Sequence, residues 1–492
     1  MKHSVKRIFS MLLCALLSAG TLVSCGGTTG TDAETVQGTT AETAEETVET
    51  EILPDLPDVT FGGAEFNVLK WDAGNGVHNY FEFDAEELNG ELLNDSIYNR
   101  NLEIEEQYDV TISTISENPP QNRLSKDVTA GETPYQVVTD WPTKLTQSST
   151  KGHLLNLHTV PYVDLEKPWW DQNAVDAYSI GGKLYVTTGD YVLYDKQRIL
   201  VVFFNHDMAD DMGIPNLYDT VWEGTWTIDV MNSYTTEATM DLDGDGKLDP
   251  VKDQFGMISG SQTYLPYLLF GMGSTYSSKE ADDTYALAIA SEHTINAIET
   301  LAQSFYTENA IYWEDCHGKL ENMQIPFQEG RGLFYHEVSQ CVRMFDMEDA
   351  FGVLPQPKYN EAQENYLTAM QNEWSSILGV PVTVAGDTLE MTGVLLEALS
   401  ALSHTTTYPT FIEDIMQSKN APDKESAEIL KMIHENIIYD IFGVFNFGDL
   451  INTVWKNMYD KHGEGFTSTI AANEEKIMTA FDKILESYAE LP

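Results

Sequence analysis

Three short apolar runs separated by two helical stretches decide what this chain can become. Phe66-Asn67-Val68-Leu69, ending at Trp71-Asp72, reads as a strand. Asn94 or Asp95 can cap a helix running to about Tyr108, with Ile97, Ile104 and Tyr108 on one face. Val110-Thr111-Ile112 is strand-like, and a polar helix follows from about Gln121 to Ala130. Tyr135-Gln136-Val137-Val138-Thr139 is a third strand, ending at Asp140-Trp141-Pro142. Strand, helix, strand, helix, strand at this spacing predicts an α/β layer with parallel strands. Ligands of such sheets sit at the carboxyl ends of the strands. Asp72, Asp140 and Trp141 fall there.

The start of the chain says where it works. Lys2, Lys6 and Arg7 precede an apolar run from Ile8 to Ala19, the layout of a secretory signal. The run is too short for a stable membrane span. It ends in Leu22-Val23-Ser24-Cys25-Gly26, which resembles the bacterial lipobox. That resemblance implies that residues 1–24 are removed, and that Cys25 carries lipid and holds the protein on the extracytoplasmic face of the membrane. Residues 25–57 are rich in Gly, Thr, Ala and Glu, with no Lys or Arg between Arg7 and Lys70. Such a segment cannot bury enough to fold and reads as an acidic tether.

Charge and size narrow the function further. The 492 residues carry 27 Lys+Arg against 78 Asp+Glu, a formal charge of -51. Losing Lys2, Lys6 and Arg7 with the signal, and no acid, takes the mature chain to -54. A surface of that sign repels phosphate backbones, so nucleic acid is a poor partner, and anionic ligands are slightly disfavoured. The length suits two lobes rather than one. Once Cys14 leaves and Cys25 takes lipid, only Cys316 and Cys341 remain, paired or unpaired.

Four later phrases occur in order: Lys167 to Tyr191 (KPWWDQNAVDAYSIGGKLYVTTGDY), Val201 to Ile214 (VVFFNHDMADDMGI), Glu223 to Met231 (EGTWTIDVM) and Phe351 to Tyr366 (FGVLPQPKYNEAQENY). Together they resemble the extracellular solute-binding proteins of family 1, the carbohydrate-type lipoproteins that serve ABC importers. The resemblance runs from about Phe61 to the C-terminus. It implies an α/β fold of two lobes, the type II periplasmic-binding-protein arrangement, joined by crossover segments with a ligand cleft between them. Residues 58–195 and 350–405 are then expected in lobe 1, and residues 196–349 and 406–492 in lobe 2. Within that plan Phe351–Leu354 is the strand that returns to lobe 1. The implied protein is a monomeric binder without enzymatic activity. It takes a small-molecule ligand, a neutral oligosaccharide, and has the importer's permease subunits as partners. A peptide ligand on the same fold is the alternative within this class.

Sugars present hydroxyls for carboxylates and amides, and a C–H face for aromatic rings. Strand ends in this plan nominate Asp72, Asp140, Trp141, Asp190, Tyr264, Tyr335, Glu337 and Trp374. A single Asp at such a place serves equally as a helix cap. Asp241-Leu242-Asp243-Gly244-Asp245-Gly246-Lys247-Leu248-Asp249 has the spacing of an EF-hand calcium loop, with carboxylates at positions 1, 3, 5 and 9 and Gly at 6. Lys247 supplies a backbone carbonyl at position 7. Position 12 is Lys252, not Glu, so Asp253 is the expected closing carboxylate. The role expected for Ca²⁺ is structural, because a second loop to make a sensor pair is missing.

Enzyme motifs fail in turn. His336-Glu337 and His434-Glu435 each lack the second His of a zinc-protease helix. Gly271-Met272-Gly273 lacks the third Gly of a dinucleotide loop, and neither a nucleotide-binding Gly-Lys-Ser/Thr nor a Gly-x-Ser-x-Gly elbow occurs. A glycan hydrolase needs only two carboxylates and stands as the rival class.

Overall fold

The computed structural model describes residues 52–72, 83–249, 251–259, 264–280, 284–306, 311–312, 325–344, 347–416 and 424–492. The expected signal, Cys25, most of the expected tether and Cys316 lie outside the described residues. No helix among the described residues is long and apolar enough to cross a membrane.

The first sheet is the layer read from the sequence. Strands β1 (Ala64–Trp71), β2 (Val110–Glu117) and β3 (Val137–Asp140) are parallel, with β1 between the other two. The helix Leu92–Tyr108 buries Leu93, Ile97, Ile104 and Tyr108, the spacing of one helical stripe. Its cap is not where expected. The helix begins after Glu91, and the Asp95 carboxylate reaches back to the backbone N–H groups of Asn89 and Gly90. The helix Pro120–Ala130 ends at Gly131, whose φ of 71° gives the left-handed C-cap that glycine favours.

The second sheet begins at β4 (Leu200–Asn205), the run Leu-Val-Val-Phe-Phe-Asn, buried at every position. It is covered on both faces, so it shows no polar alternation. Here β5 (Phe255–Ser259), β8 (Ile311–Tyr312), β9 (Gly332–Val338) and β10 (Phe351–Leu354) join it in the order β10-β4-β9-β5-β8. Strands β6 (Ser277–Lys279) and β7 (Tyr285–Leu287) form a separate hairpin.

The chain then returns to the first sheet. Phe351–Leu354, expected in lobe 1, pairs antiparallel with β4 at the edge of the second sheet. An apolar run looks the same whichever sheet receives it, and the return to the first sheet comes one strand later than the sequence predicts. After β11 (Thr368–Ala369), the returning strand is β12 (Ile377–Gly379), antiparallel to β3. The last strand, β13 (Ile437–Ile438), pairs with β11. The C-terminal segment touches both lobes. Val353 N–H donates to Ser426 Oγ at 2.9 Å, which ties the helix Lys424–Glu435 to β10. The helix Phe466–Glu490 reaches back to lobe 1, where Tyr488 Oη lies 2.7 Å from Ser149 Oγ. Leu53–Pro492 forms one compact unit.

Packing leaves one helix position no room. Gly393 lies within the helix Asp387–Thr405, and a Cβ there would sit 1.7 Å from the carbonyl oxygen of Pro161. Alanine is the better helix former by about 1 kcal/mol, but backbone cannot retreat as a side-chain tip can. Gly393→Ala is therefore expected to destabilise the fold by about 1–3 kcal/mol. A melting temperature equal to or above wild type would contradict this packing.

Candidate ligand-binding cleft

Topology brings the two sheets' carboxyl edges into reach of each other. Ile377 of β12 is opposite Asp140, so β12 starts at the carboxyl end of β3. Leu200 of β4 is opposite Val338, so the residues entering β4 lie at the carboxyl end of β9, beside that of its parallel neighbour β5. The segment 371–374 crosses between these edges.

At the first edge three indoles form a column. Trp71, the last residue of β1, stacks on Trp141 with ring centroids 4.5 Å apart and planes at 21°. Trp141 stacks in turn on Trp374, at 4.6 Å and 42°. Offset or tilted stacks of this kind contribute about 0.5–1.5 kcal/mol per pair beyond area burial. Trp374 is 43% exposed. Its backbone φ of 67° lies in the left-handed region, which costs a bulky residue roughly 1–3 kcal/mol. Asp72 is exposed beside Trp71. Asp140 is not open in the same way. It accepts N–H bonds from Gln121 at 2.9 Å and Trp141 at 2.7 Å. Burial pushes its carboxyl up to about 7, with those N–H groups pulling the other way. Its role in this structure is to fix the start of the Pro120–Ala130 helix and the turn into Trp141.

The second edge holds Tyr264 and Glu337; Tyr335, expected with them, lies in mid-strand, fully buried with its ring stacked on Phe203 and Phe327. Glu337 is buried; its oxygens accept from Val338 N–H at 2.8 Å and from the Tyr335 hydroxyl at 3.1 Å. Burial pushes its carboxyl up, and the Val338 N–H and the Arg198 charge offset part of that. Tyr264 is partly exposed, and its ring lies edge-on to His336 at 6.3 Å. His336 is buried, with burial pushing its imidazole down to about 3.

The segment 371–374 ties these groups together. Gln371 Oε1 accepts from Arg198 Nε at 3.1 Å and Nη2 at 2.7 Å. The Asn372 carbonyl accepts from Thr143 N–H at 3.3 Å, and Asn372 N–H donates to Tyr267 Oη at 3.4 Å. Trp374 completes the indole column. Through Gln371, Asn372 and Trp374 this segment touches both edges.

Asp190 belongs elsewhere. It accepts from His404 Nδ1 at 2.6 Å and lies 3.7 Å from Lys196 Nζ. Lys196 also pairs with Asp195 at 3.3 Å, and the Tyr439 hydroxyl bridges Asp195 and Asp171 at 3.2 and 2.7 Å. Burial pushes the Asp195 carboxyl up to about 6. Burial also works against the Lys196 charge, but Asp195, Asp190 and Asp171 outweigh it and hold the ammonium protonated. This network sits where residues 188–199 enter β4.

The Asp241 loop is distant from these groups in sequence and keeps its own geometry. Carboxyl oxygens of Asp241, Asp243 and Asp253 all lie within 4.8 Å of one another. Asp241 accepts from Gly244 N–H at 2.7 Å and Gly246 N–H at 2.8 Å, the tight turn the glycines predict. Asp245 accepts from Lys247 N–H at 2.8 Å and Asp249 from Val251 N–H at 2.9 Å, and neither joins the converging group. Lys252 Nζ stands 3.1 Å from Asp243.

Three contributors were not singled out in the sequence. Trp71 ends β1 as a core strand residue would, and only its stack on Trp141 marks it. Arg198 carried a signal, being one of only 27 cations and placed directly before a buried strand. Gln371 carried none.

No protein-family model matches the chain, and no curated protein sequence does. Solved structures do match. A cyclo/maltodextrin-binding protein complexed with maltotetraose is 16% identical, covers 87% of this chain and 98% of its own, and superposes with a TM-score of 0.54. The GacH receptor of Streptomyces glaucescens GLA.O, solved unliganded and with acarbose, is 14% identical over 87% of this chain and 100% of its own, with a TM-score of 0.52. The maltose/maltodextrin-binding domain MalE from Bdellovibrio bacteriovorus, bound to maltotriose, is 14% identical over 86% and 100%, with a TM-score of 0.51. The chain is similar to these proteins in fold: two α/β lobes of the periplasmic-binding-protein kind.

The His404–Asp190 pair carries a pH signature. The Asp190 hydrogen bond raises the imidazole above its ordinary value, with burial and the Lys196 charge opposing. A folded-state value above the unfolded one stabilises fully below about pH 6.5, and the gain is lost as pH rises through the folded value. His404→Ala is therefore expected to lower the melting temperature more at about pH 5.5 than at about pH 8.5. Equal losses at both would show that the pair is not formed.

Proposed function

We propose that this chain is the substrate-binding component of an ABC importer, lipid-anchored through Cys25 on the extracytoplasmic face of the membrane. It captures an oligosaccharide by closing its two lobes and delivers it to the permease. One observation carries this reading. The indole column at one carboxyl edge and the polar group at the other are spanned by Gln371–Trp374. Stacking faces beside hydrogen-bonding groups suit a sugar's C–H face and hydroxyls. A ligand touching both edges stabilises the closed form over the open one, which is all that capture by closure requires. The fold neighbours, by their names, are sugar binders, and the chain's role is read as binding without chemistry.

A thermal-shift screen of the full chain against maltotetraose, other oligosaccharides and short peptides tests this. A ligand of the native state raises the melting temperature by mass action. A shift with oligosaccharides, the sugar being recovered intact, is the expected result. Recovery of cleaved sugar favours a hydrolase, and a shift with peptides alone overturns the ligand class. Trp374→Ala is expected to weaken the bound sugar by about 10-fold, because the exposed stacking face is lost.

We also propose structural Ca²⁺ at the Asp241 loop. The donors fit a hard cation: Asp241, Asp243 and Asp253 converge, and Asp253 is fully buried. Asp253 would close the site, and Lys252 would move aside from Asp243. EDTA should lower the melting temperature and Ca²⁺ restore it; an unchanged melt sinks the assignment.

A further inference from the structure

Arg198 is a buried charge at the carboxyl edge of the second sheet. It is 6% exposed. A guanidinium offers five N–H donors. The Nε–H and one Nη2–H go to the neutral Gln371 Oε1. Among the described residues Arg198 makes no other hydrogen bond and no ion pair. The end-on edge, made by Nη1 and the second Nη2–H, is thus left unused. Glu337 is near enough to interact with Arg198. Its oxygens accept from Val338 and Tyr335, and no direct ion pair joins it to Arg198 among the described residues. Removing a cation from water without a paired anion is costly. Fixing one at the carboxyl edge of a sheet, oriented by Gln371, prepares it for an anion yet to arrive.

We propose that Arg198 receives a carboxylate of the ligand, so that the sugar captured is an acidic oligosaccharide containing uronic acid. The inference rests on the sugar-binding reading above. The unused edge of the guanidinium is planar and two-pronged, which matches a carboxylate held by two parallel hydrogen bonds. The same segment that orients Arg198 through Gln371 presents the Trp374 ring three residues later. One uronate unit on Arg198 and neighbouring units against the indoles would span the two edges. The chain's net charge of -51 does not forbid this. Repulsion between exposed charges is screened beyond about 8 Å at physiological salt, whereas a buried contact is not.

The test compares tetragalacturonate, its methyl ester, a sulfated oligosaccharide and neutral maltotetraose by calorimetry on the full chain. The acid is expected to bind at least about 10-fold more tightly than its ester, the increment of a hydrogen bond to a charged group. Arg198→Gln is expected to abolish that preference, acid and ester binding this variant equally. Should this buried substitution prevent folding, the acid-to-ester comparison on the unsubstituted protein decides alone. Equal affinity for acid and ester overturns the proposal and leaves the sugar-binding reading standing. Preference for a sulfated oligosaccharide over the uronate overturns the carboxylate assignment. Failure of every oligosaccharide, acidic or neutral, to bind overturns the sugar-binding reading itself.

Discussion

The hydrogen bond from Arg198 to Gln371 and the stack of Trp374 on Trp141 are made by one short piece of backbone, and the site depends on it. Gln371 fixes the piece to the second sheet. The Asn372 carbonyl and Trp374 fix it to the first. Neither sheet alone positions a ligand-sized set of groups. The strain of an indole at a φ of 67° is tolerable because the ring is held in the column and the segment is held at both ends. Local strain that persists in this way is common where a surface must be ready before its ligand arrives.

Behind this segment lies a second constraint. Where the chain passes into β4, Lys196 is surrounded by Asp195, Asp190 and Asp171, and His404 completes the set from the end of a long helix. A buried cation with several acids is weak evidence for stability, because desolvation consumes much of the attraction. It does restrict which arrangements of the crossover are cheap.

Much of the first sheet was legible because its signals are local. Phe66 to Leu69, Val110 to Ile112 and Val137 to Thr139 are apolar runs with helical stretches between them, and they became β1, β2 and β3. Trp141 and Trp374 were legible as strand-end aromatics. What failed was partnership. Nothing in Phe351–Leu354 says that it pairs with β4 and not with the first sheet. Nothing in Asp190 distinguishes a ligand group from one paired with a His 214 residues away. Asp140 and Asp95 both resemble free acids or caps in sequence. Only coordinates show whose N–H groups they accept. Arg198 shows the converse: its position before β4 is visible in the sequence, but that its guanidinium meets Gln371 and makes no direct ion pair among the described residues is a three-dimensional fact.

Closure of the lobes about a ligand is the central claim. Spin labels at Lys126, exposed on the helix over the first sheet, and at Glu237, exposed on the helix Ile228–Ala238 over the second, report it directly. Their separation should be measured without ligand and with a saturating amount of the oligosaccharide that gives the largest melting shift. The account predicts that the sugar-bound distance distribution is shorter and narrower than the ligand-free one. An identical distribution in both states, with binding confirmed in the same sample, would contradict capture by closure.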